Sequence, residues 1–323
     1  MRYVLLFLLI SSAAFAQQKT RKNVFIILDG IPADVLEKVE TPNMDEISAK
    51  GSYTRAYVGG EKGGESESPT ISAVGYNSLL TGTWANKHNV WGNSIENPNY
   101  EYWSVFRIMR NARTDAKLGI YSTWEDNRTK LIGEGKAETD NLKIDVVFDG
   151  YELDTVNFPH DEAREYIHKI DELVVSEAAK SIEKDAPDLS WIYLEFTDDM
   201  GHKFGDSSEM YEAVKLADRQ IGEVYDAIKK REQNHHEEWL IVITTDHGRD
   251  AETGKNHGGQ SDRERTTWIV SSKPIISKKR PLAIVDIMPS ICEFMCVKIP
   301  EKVEEELDGE SLFELKRRVF KSN

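Results

Sequence analysis

Three short apolar runs that each end on aspartate constrain this chain more than any other feature. KNVFIILDG stops at Asp29, DLSWIYLEFTDD reaches Asp198, and EEWLIVITTDHG ends on Asp246 and His247. Each run is rich in β-branched and aromatic residues and too short for a buried helix, so each reads as a buried strand. A weaker copy, AKLGIYSTW, covers residues 116–124. Between the runs lie helical patterns, such as Val214, Ala217, Ile221, Val224 and Ile228, spaced by three and four with charges between them. Alternating strands and helices predict an α/β fold, a three-layer sandwich whose mostly parallel central sheet is flanked by helices. Such sheets bind ligands beyond the carboxyl ends of their strands, where all three aspartates fall. The polar, turn-rich region at about 125–160 breaks the alternation and reads as a small inserted cap.

A length of 323 residues with 39% hydrophobic content can fill one large core. The formal charge of −15 repels nucleic acid and anionic membrane surfaces, so neither is expected as a partner. Residues 1–16 read as a signal peptide: Arg2, an apolar run from Tyr3 to Ile10, then Ala14, Phe15 and Ala16 as a cleavage pattern. That run is shorter than the roughly 20 residues of a membrane span, which predicts a periplasmic or secreted protein comprising residues 17–323. Two cysteines, Cys292 and Cys296, cannot form a disulfide framework; four apart on a helix, they are expected as small buried residues on one face.

The strand ends gather chemistry. Asp29 stands alone, Asp198 is followed by His202 in DDMGH, and Asp246–His247 precedes His257 in NHGG. Singly, an aspartate at a strand end serves as readily as a turn or helix cap. Jointly, three carboxylates at one sheet edge would repel one another unless a cation compensates. Two divalent ions would compensate, and mixed imidazole–carboxylate ligation suits Zn²⁺, with Mn²⁺ also compatible. An acidic protein could then bind a small anionic phosphate ester. The stretch ESPTISAVGYNSLLTG supplies the hydroxyls Ser68, Thr70, Ser72 and Ser78; with no GxSxG elbow and only His88 nearby, metal activation is the remaining route to a nucleophile.

In order and spacing, ILDG, LLTG, FTDDMGH, TTDHG, NHGG, VDIMPSICEFM and LDGESL resemble the alkaline phosphatase superfamily over most of the chain, and type I phosphodiesterases/nucleotide pyrophosphatases in particular. The resemblance implies one metal on Asp29, Asp246, His247 and the nucleophile's oxygen, and a second on Asp198, His202 and His257. It places the nucleophile ten residues before Gly82, at Ser72, with Thr70 in reserve. The CxPxR or SxPxR motif of sulfatases is absent, since AVGY follows Ser72. The FPN of nucleotide pyrophosphatases is absent too, leaving Asn77 or Asn93 as substitutes for its phosphate contact. The implied function is an exported two-metal hydrolase of phosphate esters, with phosphodiesters or nucleotide pyrophosphates favoured. A phosphomonoesterase is the alternative, a sulfatase or a non-catalytic anion-binding protein the less favoured ones. Trp84, Trp91 and Trp124 are candidates either to stack on a base or to fill core.

Overall fold

A computed structural model describes residues 19–276 and 278–314, so the signal segment and residues 315–323 lie outside the described residues. Seven strands form one sheet: β1 (Thr20–Leu28), β2 (Ser52–Tyr57), β3 (Leu118–Ser122), β4 (Val146–Phe148), β5 (Leu189–Leu194), β6 (Glu237–Thr244) and β7 (Thr266–Ser271). Their order is β2-β7-β6-β1-β5-β3-β4. β6, β1, β5, β3 and β4 run parallel, and β7 lies antiparallel to both β6 and β2.

Alternation along β1 builds the three layers. Phe25 and Ile27 pack with one helix layer, formed by Ser72–Thr81, Val105–Ala112 and Ile287–Phe294. Val24, Ile26 and Leu28 pack with the other, formed by Pro42–Lys50, Glu165–Lys184 and Ser208–Asn234. In the last of these, Val214, Ala217, Ile221, Val224 and Ile228 are buried, as their spacing predicts. Burying each large apolar side chain stabilises the fold by about 1.5–3 kcal/mol, so β1, covered on both faces, anchors the sheet centre. It also fixes where Asp29 emerges.

The 125–160 segment does not stand wholly outside the core. Leu131, Ile132, Leu142 and Ile144 are buried against the first layer, and β4 extends the sheet by pairing Gly119 with Val146. Three residues of strand are too few to read from periodicity in a polar context. The cysteine expectation needs correcting: the Ile287–Phe294 helix ends before Cys296, which adopts φ 54° and is exposed, while Cys292 is buried. No helix among the described residues is long and apolar enough to cross a membrane.

Candidate active site

β1, β5 and β6 end side by side, Leu28 pairing with Leu194 and Ile27 with Thr244. The residues that follow are thereby brought together. Asp29 and Asp246 are buried within the sheet edge, and Asp198 and His202 sit on successive turns of the helix Phe196–Phe204. His247 Nε2 lies 3.2 Å from Asp246 Oδ2, 3.5 Å from Asp29 Oδ1 and 4.0 Å from Asp198 Oδ1. His202 Nε2 is 3.2 Å from Asp198 Oδ2 and 3.1 Å from His257 Nε2. All six predicted Asp and His ligands therefore converge on one small volume. Within it, Asp29, Asp246 and His247 form one compact group of ligand atoms, and Asp198, His247 and His257 another.

The donor chemistry fits divalent cations. Asp29 Oδ1 and Asp246 Oδ2 are buried with no hydrogen-bond partner, a costly arrangement unless a cation sits between them. The ring nitrogens are oriented the same way: His247 Nδ1 bonds the Gly248 carbonyl at 2.9 Å and His257 Nδ1 the Thr70 carbonyl at 2.9 Å. Because a carbonyl only accepts, each Nδ1 carries the proton and each Nε2 presents a lone pair. Burial, then the Asp246 and Asp198 charges, push Asp29 well above the usual carboxylate range. Burial, with the Asp198 charge and against the Gly30 amide, pushes Asp246 up to about 7. Burial lowers His247 and His257 and keeps both imidazoles neutral, the ligating form. Asp198 behaves differently: burial raises it, but the His202 hydrogen bond and the Arg249 charge prevail and hold it below the usual range.

Ser72 opens the helix Ser72–Thr81, every residue of which is buried. Its Oγ lies 3.3 Å from His247 Nε2. The preceding Ile71 is extended and no side chain at the cap position satisfies the helix start, so the partial positive charge there faces the site. Thr70 is placed otherwise. Its hydroxyl donates to the Gly259 carbonyl at 2.9 Å and accepts from the Gly258 amide at 2.9 Å, and its carbonyl holds His257. Thr70 thus ties the NHGG loop to the Ser72 segment. Asn93 Oδ1 accepts from the Ala73 amide at 3.0 Å, which puts its side chain at the helix start. Asn77, five residues along the helix and so about 140° round it from Ser72, is buried away from this cavity, its Oδ1 without a partner. Of the two asparagines, Asn93 lines the cavity beside Ser72 and Asn77 does not.

Beside Ser72 opens a cavity of about 450 Å³, lined among others by Asn93, Trp124, Glu152, Arg164, Tyr166 and Glu195. Part of the 125–160 segment forms its rim, through Glu152, Leu153 and His160. Arg164 donates to Glu195 at 2.9 Å and forms an ion pair with Asp199 at 2.7 Å, and His160 stacks on Tyr166 at 4.3 Å between centroids. Of the three tryptophans, Trp84 is core, Trp91 is exposed and Trp124 reaches the cavity.

Several site residues carried no signal strong enough to single them out. Tyr76, one turn after Ser72, and Tyr193, whose hydroxyl is 2.6 Å away, both donate to Asp29 Oδ2. Arg249, two residues beyond His247 in DHGRD, is buried and donates to Gly30 O at 2.9 Å, Lys255 O at 3.0 Å and Asp198. Gly201 makes room for it, since a Cβ there would lie 2.6 Å from Arg249 Nη2. The spacing of Tyr76 and the adjacency of Arg249 to the DH pair were the available cues.

A mostly parallel seven-stranded sheet with buried Asp and His at its carboxyl edge is the architecture of the alkaline phosphatase superfamily. The family model described as type I phosphodiesterase / nucleotide pyrophosphatase matches residues 23–284. The chain belongs to that family. It is 25% identical over 247 residues to ectonucleotide pyrophosphatase/phosphodiesterase family member 7 of Rattus norvegicus, covering 72% of this chain and 51% of that protein. To a venom phosphodiesterase of Naja atra it is 26% identical over 251 residues, covering 71% of this chain and 26% of the relative. The chain thus spans about half or less of the length of these relatives. Human ectonucleotide pyrophosphatase / phosphodiesterase 5 shares the fold at a TM-score of 0.60 with 15% identity, over 89% of this chain and all of that one.

Proposed function

We propose that this chain is a metal-dependent hydrolase of phosphodiesters in which Ser72 supplies the nucleophilic oxygen. One observation carries the reading: the Ser72 hydroxyl stands at a helix start, 3.3 Å from His247 Nε2, in the same pocket as the partnerless carboxylate oxygens of Asp29 and Asp246. Asp29, Asp246 and His247, with the Ser72 oxygen, would hold one divalent ion, and Asp198, His202 and His257 the other. Zn²⁺ suits this donor set, and Mn²⁺ is compatible with it. Bound there, the ions would supply Lewis acidity that favours the serine alkoxide and offsets charge on the phosphate oxygens.

The remaining work falls to the chain. The start of the Ser72–Thr81 helix directs its partial positive charge at the phosphate. Asn93, whose Oδ1 is committed to the Ala73 amide, has its Nδ2 left to donate to a phosphate oxygen. Ser72 Oγ attacks phosphorus, one alcohol departs, and a phosphoseryl ester remains for water to cleave. A cavity of about 450 Å³ has the size of a small-molecule site and accommodates the organic group that distinguishes a diester. Thr70, its hydroxyl engaged at both ends, serves as a strut.

Ser72→Ala is expected to abolish diester turnover while metal content, read by elemental mass spectrometry, stays close to wild type. An active Ser72→Ala enzyme alongside an inactive Thr70→Ala one would reverse the assignment. Export belongs to the same reading, supported by the apolar run Tyr3–Ile10 and its AxA pattern. Fractionation of tagged protein tests it, and a wholly cytoplasmic pool would count against it.

A further inference from the structure

We propose that Arg249 makes the two metal positions unequal, so that Asp29, Asp246 and His247 fill first and Asp198, His202 and His257 fill second and more weakly. The inference rests on the reading that both sets bind divalent ions. Around the first set, two buried carboxylates face one another with one partnerless oxygen each, and no Lys or Arg is paired with either among the described residues. Their other oxygens accept from neutral groups, the hydroxyls of Tyr76, Tyr193 and Thr245 and the Gly30 amide. Among the described residues no Lys or Arg offsets their charge.

The second set is already compensated. Arg249 is 1% exposed and places Nη2 against Asp198 Oδ1 while also bonding the Asp198 carbonyl at 2.8 Å. Its Nε and Nη1 are held by the Gly30 and Lys255 carbonyls, so the guanidinium cannot swing away when a cation arrives. The space is built for it: Gly30 and Gly201 lack the Cβ atoms that would lie 2.7 Å and 2.6 Å from Nη2. A fixed unit charge on the carboxylate that must ligate the second ion removes part of its attraction. Asp198 and His202 are also the more accessible ligands, with side-chain exposures of 14% and 46%, so water screens their field further.

Two effects of removing Arg249 oppose each other. Losing a group that orients a ligand weakens metal affinity by about 10–100-fold. Removing a buried positive charge beside a divalent ion strengthens it by more than that at an effective dielectric near 20. The charge effect should win.

Titration of chelated, full-length protein with Co²⁺, followed by visible absorbance and calorimetry, tests this. Wild type should bind in two steps at least tenfold apart in Kd. Asp246→Asn should remove the tight step and His202→Ala the weak one. Arg249→Met should tighten the weak step at least tenfold, and Arg249→Lys, which keeps the charge, should preserve the gap. Two equal steps in wild type, or a weak step that loosens in both Arg249 variants, would overturn the proposal and leave the two-metal reading intact. If Arg249→Met does not fold, the wild-type, Asp246→Asn and His202→Ala isotherms still decide the order of filling. Absence of any Co²⁺ binding would overturn the two-metal reading itself.

Discussion

Gly75→Ala probes how closely the Ser72 helix must approach β6. Gly75 lies on the first turn of Ser72–Thr81, and a Cβ there would stand 2.7 Å from the Asp246 carbonyl oxygen and 3.0 Å from Asp246 Cβ. Ordinary contact begins near 3.4 Å, so the helix or Asp246 must yield by about 0.7 Å. Alanine in a helix gains roughly 1 kcal/mol over glycine, whereas forcing atoms into a packed site costs about 1–3 kcal/mol. Net stability should therefore fall by at most ~2 kcal/mol, and the protein should stay folded at 25 °C. Activity should suffer more, because a misplacement near 1 Å between reacting groups costs on the order of 10²-fold, or about 2.7 kcal/mol in the barrier. A kcat/KM lower by roughly 10- to 100-fold on a chromogenic diester, with Tm down by only a few degrees, is the expected result. Wild-type kcat/KM in a folded Gly75→Ala protein would refute the close coupling of this helix to the Asp246 edge.

Asn93→Ala should lower kcat by about 10²–10³-fold, the usual cost of losing one donor to developing charge, with Tm down by only a few degrees because the bond to the Ala73 amide lost with it is worth about 1 kcal/mol; an effect on KM alone would mean that its amide does not serve the transition state. Asp246 should make metal-free protein lose stability as pH rises from 4 to 8 relative to Asp246→Asn, the buried neutral His88, His247 and His257 contributing the opposite trend to both proteins. Asp246 is raised from 3.8 in the unfolded chain to about 7 in the folded one, so in that window the folded state holds more protons and the slope of unfolding free energy with pH is negative. A shift of that size corresponds to on the order of 4 kcal/mol. Urea unfolding of chelated wild type and Asp246→Asn at pH 5 and pH 8 checks this, and the same pH dependence in both proteins would contradict it. Saturating Zn²⁺ should reverse the trend, since metal takes the place of the protons.

The sheet and its three aspartates were legible because buried parallel strands are continuous apolar runs, and their ends are marked by an abrupt change to Asp and Gly. The helix Ser208–Asn234 was legible from its apolar stripe for the same reason. What escaped depends on contacts between distant segments. β4 is a three-residue edge strand recognised only through its pairing with β3. Arg249, a charged residue in a polar loop, reads as exposed; only the folded chain shows that Gly30 and Gly201 open a slot for it. Asn77 and Asn93 were equal candidates in sequence, but helix rotation turns Asn77 away while a loop returns Asn93 to the helix start. Thr70 and Ser72 separated on hydrogen bonding, since the partners of Thr70 lie nearly two hundred residues further on.

Ser72 is expected to form a covalent phosphoryl ester during turnover. Rapid acid quenching of the metal-loaded enzyme with a phosphodiester, followed by peptide mass spectrometry, tests it most directly. An adduct on Ser72 that carries the phosphorus with the second alcohol of the diester is expected within the ESPTISAVGYNSLLTG segment, absent from chelated enzyme and from Ser72→Ala. An adduct on Thr70, or full turnover with no adduct on the chain at any quench time, would contradict it.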